Sequence, residues 1–156
     1  MRRRTAVIRQ ANPDSKYGDL LIGSFIGIIM MEGKKTLAQR IVYNALDILK
    51  KKASDEDAVK LFAKAIENIR PRMQVKSRRV GGSTYQIPME VPPLKGNTIA
   101  LRWVRDLARG KKGKPMEIKI ADELFSAVKG EGPAIKKRDE AHKMAEANQA
   151  FAHLKW

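Results

Sequence analysis

Lys76, Arg78 and Arg79 stand close together in VKSRRVGGSTYQIPMEV, the segment from Val75 to Val91. Arg70 and Arg72 lie just before them, and no acidic residue occurs between Glu67 and Glu90. Like charges on one short ribbon repel, so a fold gains nothing by gathering them. The chemistry they offer is charge-assisted contact with an anion outside the protein. Four further clusters repeat the pattern. Arg2, Arg3 and Arg4 open the chain, with Arg9 soon after, and Lys34 and Lys35 follow the stop at Gly33. Arg102, Arg105 and Arg109 fall at i, i+3 and i+7, one stripe of a helix, and Lys111, Lys112 and Lys114 extend it into the next loop. Lys136, Lys137 and Arg138 open another helix, where the dipole disfavours cations, so a generic solvated surface explains them poorly.

Catalysis finds no such support. His142 and His153 lie eleven apart with no cysteine or acidic cluster to complete a metal site, and they read as side chains facing solvent or nucleic acid. A phosphate loop needs four residues between its glycines and then Gly-Lys-Ser or Gly-Lys-Thr. Gly27 and Gly33 are separated by five, and in GKKGKP the residue Pro115 stands where the hydroxyl belongs. The carboxylates are scattered along helix faces. No enzyme, cofactor or metal is expected.

The composition says who the partner is. The chain has 156 residues, with 32 Lys and Arg against 17 Asp and Glu, for a formal net charge of +15. With 43% apolar residues it is long and apolar enough for one domain with a core, not a disordered basic tail. Such a charge points to nucleic acid first and an anionic membrane second. Without cysteine there are no disulfides, which suits a reducing compartment. MRRRTAVIRQANPD has the cations of a signal peptide but no apolar run behind them. LLIGSFIGIIMM, from Leu20 to Met31, has twelve residues, too few for the roughly 20 that cross a bilayer. It reads as a buried core helix of a soluble protein, with Gly23 and Gly27 spaced to admit another helix.

The elements follow from periodicity. Residues 1–16 read as a basic, weakly structured arm. After the Leu20 helix, a second starts near Thr36 with Leu37, Ile41, Ala45, Leu46 and Leu49 on one face. It ends in Lys50, Lys51 and Lys52, where the dipole favours cations. Ser54 and Asp57 suggest the cap of a third helix with Ala58, Phe62, Ala65, Ile66 and Ile69 buried, stopped at Arg70-Pro71. A β-ribbon over about 72–91 follows, and Pro88, Pro92 and Pro93 are expected to prevent further pairing. A fourth helix runs from near Asn97-Thr98 to Gly110 with Ala100, Trp103, Val104 and Leu107 inward; a fifth begins at Pro115 and a sixth at Gly132-Pro133. The fold class is mainly α: a bundle of about six helices, with one projecting β-hairpin between the third and fourth. Residues 149–156 form a tail.

A ribbon rises about 3.3 Å per residue, so arms of six or seven residues carry its tip roughly 20 Å from the bundle. Gly81 and Gly82 allow positive φ at the turn and close approach of a nucleic-acid backbone. Tyr85 can stack on a base or pack across the ribbon; both roles fit.

VKSRRVGGSTYQIPMEV, together with HKMAEANQAFAHLKW from His142 to Trp156, resembles the bacterial small-subunit ribosomal protein seven family. The resemblance continues through KYGD at Lys16, GKKTLAQRIVYNALDIL from Gly33 and ALRWVRDLAR from Ala100, so it covers most of the chain in order. It implies a structural protein of the cytoplasmic ribosome that binds small-subunit ribosomal RNA in its 3′ major domain and nucleates assembly of the head. It further implies that the ribbon lies beside exit-site transfer RNA and the messenger path. Arg79, Gly81, Gly82 and Ser83 would sit there, joined by Lys143 from the sixth helix. The tail, with Phe151, His153 and Trp156, would approach a neighbouring small-subunit protein. No membrane is implied. Two alternatives compete. One is an architectural DNA-binding protein with a basic ribbon arm, although only Val80 can serve as an apolar wedge at the tip. The other is a scaffold for acidic partners with no nucleic acid.

Overall fold

The computed structural model describes residues 12–54 and 57–154. Six α-helices and one hairpin follow in the order α1 (Leu20–Ile29), α2 (Lys35–Lys52), α3 (Ala58–Ile69), β1 (Met73–Val80), β2 (Ser83–Glu90), α4 (Pro93–Gly110), α5 (Met116–Val128) and α6 (Pro133–Ala147). A 3-10 turn, Gln149–Leu154, ends the described chain. All six helices contribute to one apolar cluster, in which Phe25 of α1 and Phe62 of α3 meet at 5.5 Å between ring centroids. No helix of the described residues is long and apolar enough to cross a membrane.

Local chemistry explains where several helices begin. The Asp19 carboxylate accepts from the amides of Leu21 (2.7 Å) and Ile22 (2.9 Å), donors that the first turn of α1 leaves open. Asp57 caps α3 through the Val59 amide (3.0 Å). Ser54, expected to be that cap, instead has φ 57° just beyond the end of α2. α4 begins at Pro93, about a turn before Asn97, because proline at the first position gives up no intrahelical bond and its φ already suits a helix. Pro88 does not end the pairing as expected. It lies within β2 opposite Val75, and in a two-stranded ribbon alternate amides point to the open edge, where a missing N–H costs nothing.

The buried stripe of α3 matches the expected residues, with Leu61 added. On α2 the expected Ala45, Leu46 and Leu49 are buried, but nearer its start Ala38 and Val42 are buried while Leu37 is 41% exposed and Ile41 half-buried. Small residues let α2 approach its neighbours closely, and this outweighs the larger side chains beside them. On α4, Leu101 and Ala108 join Ala100 and Val104 inside, and Trp103 and Leu107 cover the margin.

The arm is not uniform. Residues 12–19 form a turn around Asp14, which is 6% exposed. Its carboxylate accepts from the Tyr43 hydroxyl (2.7 Å) and the amides of Lys16 (3.0 Å) and Tyr17 (3.1 Å). The Lys16 ammonium lies 5.0 Å and 5.1 Å from the ring centres of Tyr17 and Tyr43. This turn, not another helix, uses Gly23: a Cβ there would stand 2.6 Å from the Asn12 carbonyl oxygen. Gly27 faces open space.

Burial pushes the Asp14 carboxyl up, but the hydrogen bonds from Tyr43 and the neighbouring amides outweigh it and hold it below the usual aspartate value. Hydrogen bonding to Lys52 lowers Asp122, and hydrogen bonding to Arg105 lowers Asp106. Groups held below their unfolded value of about 3.9 favour the fold when ionised. Their contribution is therefore complete above about pH 4 and disappears as pH falls through the lower folded values. Thermal melts between pH 6 and 2 should show the midpoint dropping below about pH 4, less steeply in Asp14→Asn. An equal slope in that variant would remove Asp14 from the account.

Candidate nucleic-acid interface

The fold itself consumes several of the expected cations. Arg109 reaches from α4 to donate to the Ile29 carbonyl (3.2 Å), completing the C-terminal end of α1. Arg138 donates to the Asn68 carbonyl at the end of α3 (2.5 Å) and to the Asp139 carboxylate through Nε (2.8 Å) and Nη2 (2.6 Å). It therefore ties α6 to α3. Lys111 and Lys114, both exposed in the loop after α4, also make ionic contacts within the protein. Lys111 places its ammonium against Oε1 of Glu123, which is buried on α5. No hydrogen bond reaches either Glu123 oxygen among the described residues, so this ionic contact is the carboxylate's compensation. Lys114 lies 3.6 Å from Asp122, which Lys52 also contacts.

Other cations are exposed and outside any such contact. Lys35, Arg72, Arg79, Arg102, Lys112, Lys136, Lys137 and Lys143 are exposed and make no ion pair among the described residues. Lys34 pairs with Glu32 at 2.7 Å, but both are so exposed that the pair is worth little. Arg105 pairs with adjacent Asp106 at 2.8 Å, and the charges of Lys137 and Arg109 also reach that carboxylate. Arg102 and Arg105 of α4 and Lys137 of α6 are thus gathered on packed helices into one basic region. Arg70 keeps a long 4.0 Å contact with Glu67. Arg2, Arg3, Arg4, Arg9 and Trp156 lie outside the described residues.

The ribbon forms a second basic region. Val80 faces Ser83 across a two-residue turn in which Gly81 has φ 55° and Gly82 φ 89°. Positive φ at both positions matches the twist of the strands, and glycine takes it without strain. Arg79, Gly81, Gly82 and Ser83 are exposed at this end, as is Lys76 further down β1.

Contacts remote in sequence hold the ribbon in place. At its root the Arg72 amide donates to His142 Nε2 of α6 (2.9 Å), so His142 is a structural acceptor and not a side chain facing solvent. Nearer the tip, two pairs short of the Val80–Ser83 end, Tyr85 packs on Phe151 of the 3-10 turn, with centroids 5.4 Å apart. Beside them Arg78 Nη1 donates to the Leu154 carbonyl (2.7 Å). One face of Tyr85 is thus taken by the tail, a contact the sequence reading did not include. Phe151 is half-buried by this contact, and His153 is exposed with Nδ1 2.9 Å from the Ala150 carbonyl. No group of three acidic or histidine side chains fit for a metal occurs among the described residues.

A helical body with two basic regions suits a protein that binds an extended anion. Comparison with known proteins names the kind. Residues 1–149 match the family described as Ribosomal protein S7p/S5e. The chain belongs to the S7p/S5e family. Proteins named small ribosomal subunit protein uS7 are similar to it throughout: that of Fervidobacterium nodosum is 51% identical over 156 residues, covering all of both chains. That of Thermotoga petrophila is 49% identical over the same span, and that of Nitrosococcus oceani 48% over 155 residues, 99% of each chain. An S7p/S5e protein is a structural part of the ribosome and not an enzyme.

Proposed function

We propose that this chain is the constituent of the bacterial small ribosomal subunit, in the cytoplasm, that binds ribosomal RNA of the 3′ major domain directly and so nucleates assembly of the head. The observation that carries this reading is the division among the cations. Arg109, Arg138 and Lys111 make bonds that tie the fold together. Arg102, Lys136 and Lys137 are left to solvent on α4 and α6, and Arg72 and Arg79 at the two ends of β1. Spacing phosphate-seeking charges over a helical face and a rigid ribbon suits a folded RNA recognised by shape. The ribbon end, Arg79 to Ser83 with Lys143, then lies near exit-site transfer RNA and the messenger, and the tail, through its exposed His153, faces a neighbouring small-subunit protein. A DNA-bending role is less well served, since Val80 is the one apolar side chain at the tip and is only 37% exposed.

The test is sedimentation of the tagged protein in sucrose gradients at low and high salt. It should travel with the small subunit at both. Recovery only at the top of the gradient would overturn the reading.

A further inference from the structure

At the root of the ribbon, where α3 ends and α4 begins, a pocket of about 400 Å³ opens beside the basic surface. Arg70, Arg72 and Glu90 line it, and Pro71, Met73, Val91 and Pro93 supply apolar surface. The frame is fixed. The Val91 amide donates to the Arg72 carbonyl (2.9 Å), and Met73 is the register partner of Glu90. The stem of Arg70 is held by Gly96 of α4: a Cβ there would come within 2.7 Å of Arg70 Cγ and 3.2 Å of the Pro71 carbonyl oxygen.

Glu90 is the unexpected member. In a chain with 32 cations it has no ion pair or side-chain hydrogen bond among the described residues. A carboxylate in the same pocket as two arginines repels phosphate, so it adds nothing to backbone binding. What it can do is accept hydrogen bonds. Apolar surface for a base face, arginines for the flanking phosphates and one acceptor-only group describe a pocket for an unstacked nucleotide. Guanine is the base that presents two adjacent donors, N1–H and the N2 amino group, to a carboxylate's two oxygens.

We propose that this pocket takes a single unpaired guanosine of an RNA strand, with Glu90 reading the base edge and Arg70 and Arg72 holding the adjoining phosphates. The proposal rests on the RNA-binding reading above. Three adenosine-rich ribonucleotide nonamers with guanosine, inosine or adenosine at the centre test it by fluorescence titration at low salt. Inosine keeps N1–H but lacks the amino group. The guanosine nonamer should bind roughly tenfold tighter than the adenosine one, with inosine between. Glu90→Gln, which keeps the shape but turns one acceptor into a donor, should abolish that preference without weakening the adenosine nonamer. Gly96→Ala, which displaces the Arg70 stem, should weaken all three nonamers and keep the order. Equal binding of the three nonamers by the native protein, or a preference that survives Glu90→Gln, overturns the proposal. Failure to bind any nonamer, while the protein still travels with the small subunit, also sinks the pocket alone. Loss of both overturns the underlying reading.

Discussion

Replacing Arg79, Arg102, Lys136 and Lys137 together with glutamine should leave the fold intact and remove most of the measurable affinity for ribosomal RNA. All four side chains are exposed and none takes part in an ion pair among the described residues, so the helical core and the ribbon register lose nothing. Each phosphate contact contributes about 0.7 to 0.9 to the slope of log affinity against log salt. Four lost contacts should flatten that slope by about three. The loss should be largest at low salt, where counterion release matters most. A binding isotherm at several salt concentrations, with circular dichroism for helix content, decides the matter. An unchanged slope would falsify the phosphate role of these residues. The same experiment on Arg109 and Arg138 should look different, because both hold helix ends: stability falls along with affinity.

The second large effect concerns the core. Phe62→Ala should destabilise the protein by about 3–5 kcal/mol, the usual result of emptying an aromatic site that cannot collapse. Phe62 is 1% exposed and lies against Phe25, so the change also strips a ring contact from α1. Against a typical stability of about 5–15 kcal/mol this is a large share, and the melting midpoint should fall by roughly 10 °C. Calorimetry reads it directly. A drop of only a degree or two would mean that α1 and α3 repack over the gap.

How far the sequence led depended on how local the cause was. The α3 stripe could be read because helical period and burial coincide over Ala58 to Ile69. The glycine turn could be read because only a few conformations join two strands through two residues. On α2 the face was right at Ala45, Leu46 and Leu49 and off by one position only in the first turns, since choosing Ala38 over Leu37 depends on how near a neighbouring helix comes. Sorting the cations was beyond sequence reading for the same reason. Arg109 finds its carbonyl 80 residues away and Arg138 finds its own 70 away, and nothing in the spacing marks either one. The tail's place on the ribbon depends on Arg78 and Leu154, 76 apart.

That last contact has a mechanical consequence. Eight paired residues per strand make the hairpin a lever about 25 Å long, and a lever fixed only at its foot magnifies error. A tilt of 10° at the root would swing Gly81 and Gly82 by about 4 Å, more than the reach of a hydrogen bond. The tail braces the lever partway along, through Phe151 on Tyr85 and the Leu154 carbonyl on Arg78. Aim at the far end is thereby set by residues at the chain's close, and trimming them would blur where the tip points before it weakened what the tip can hold.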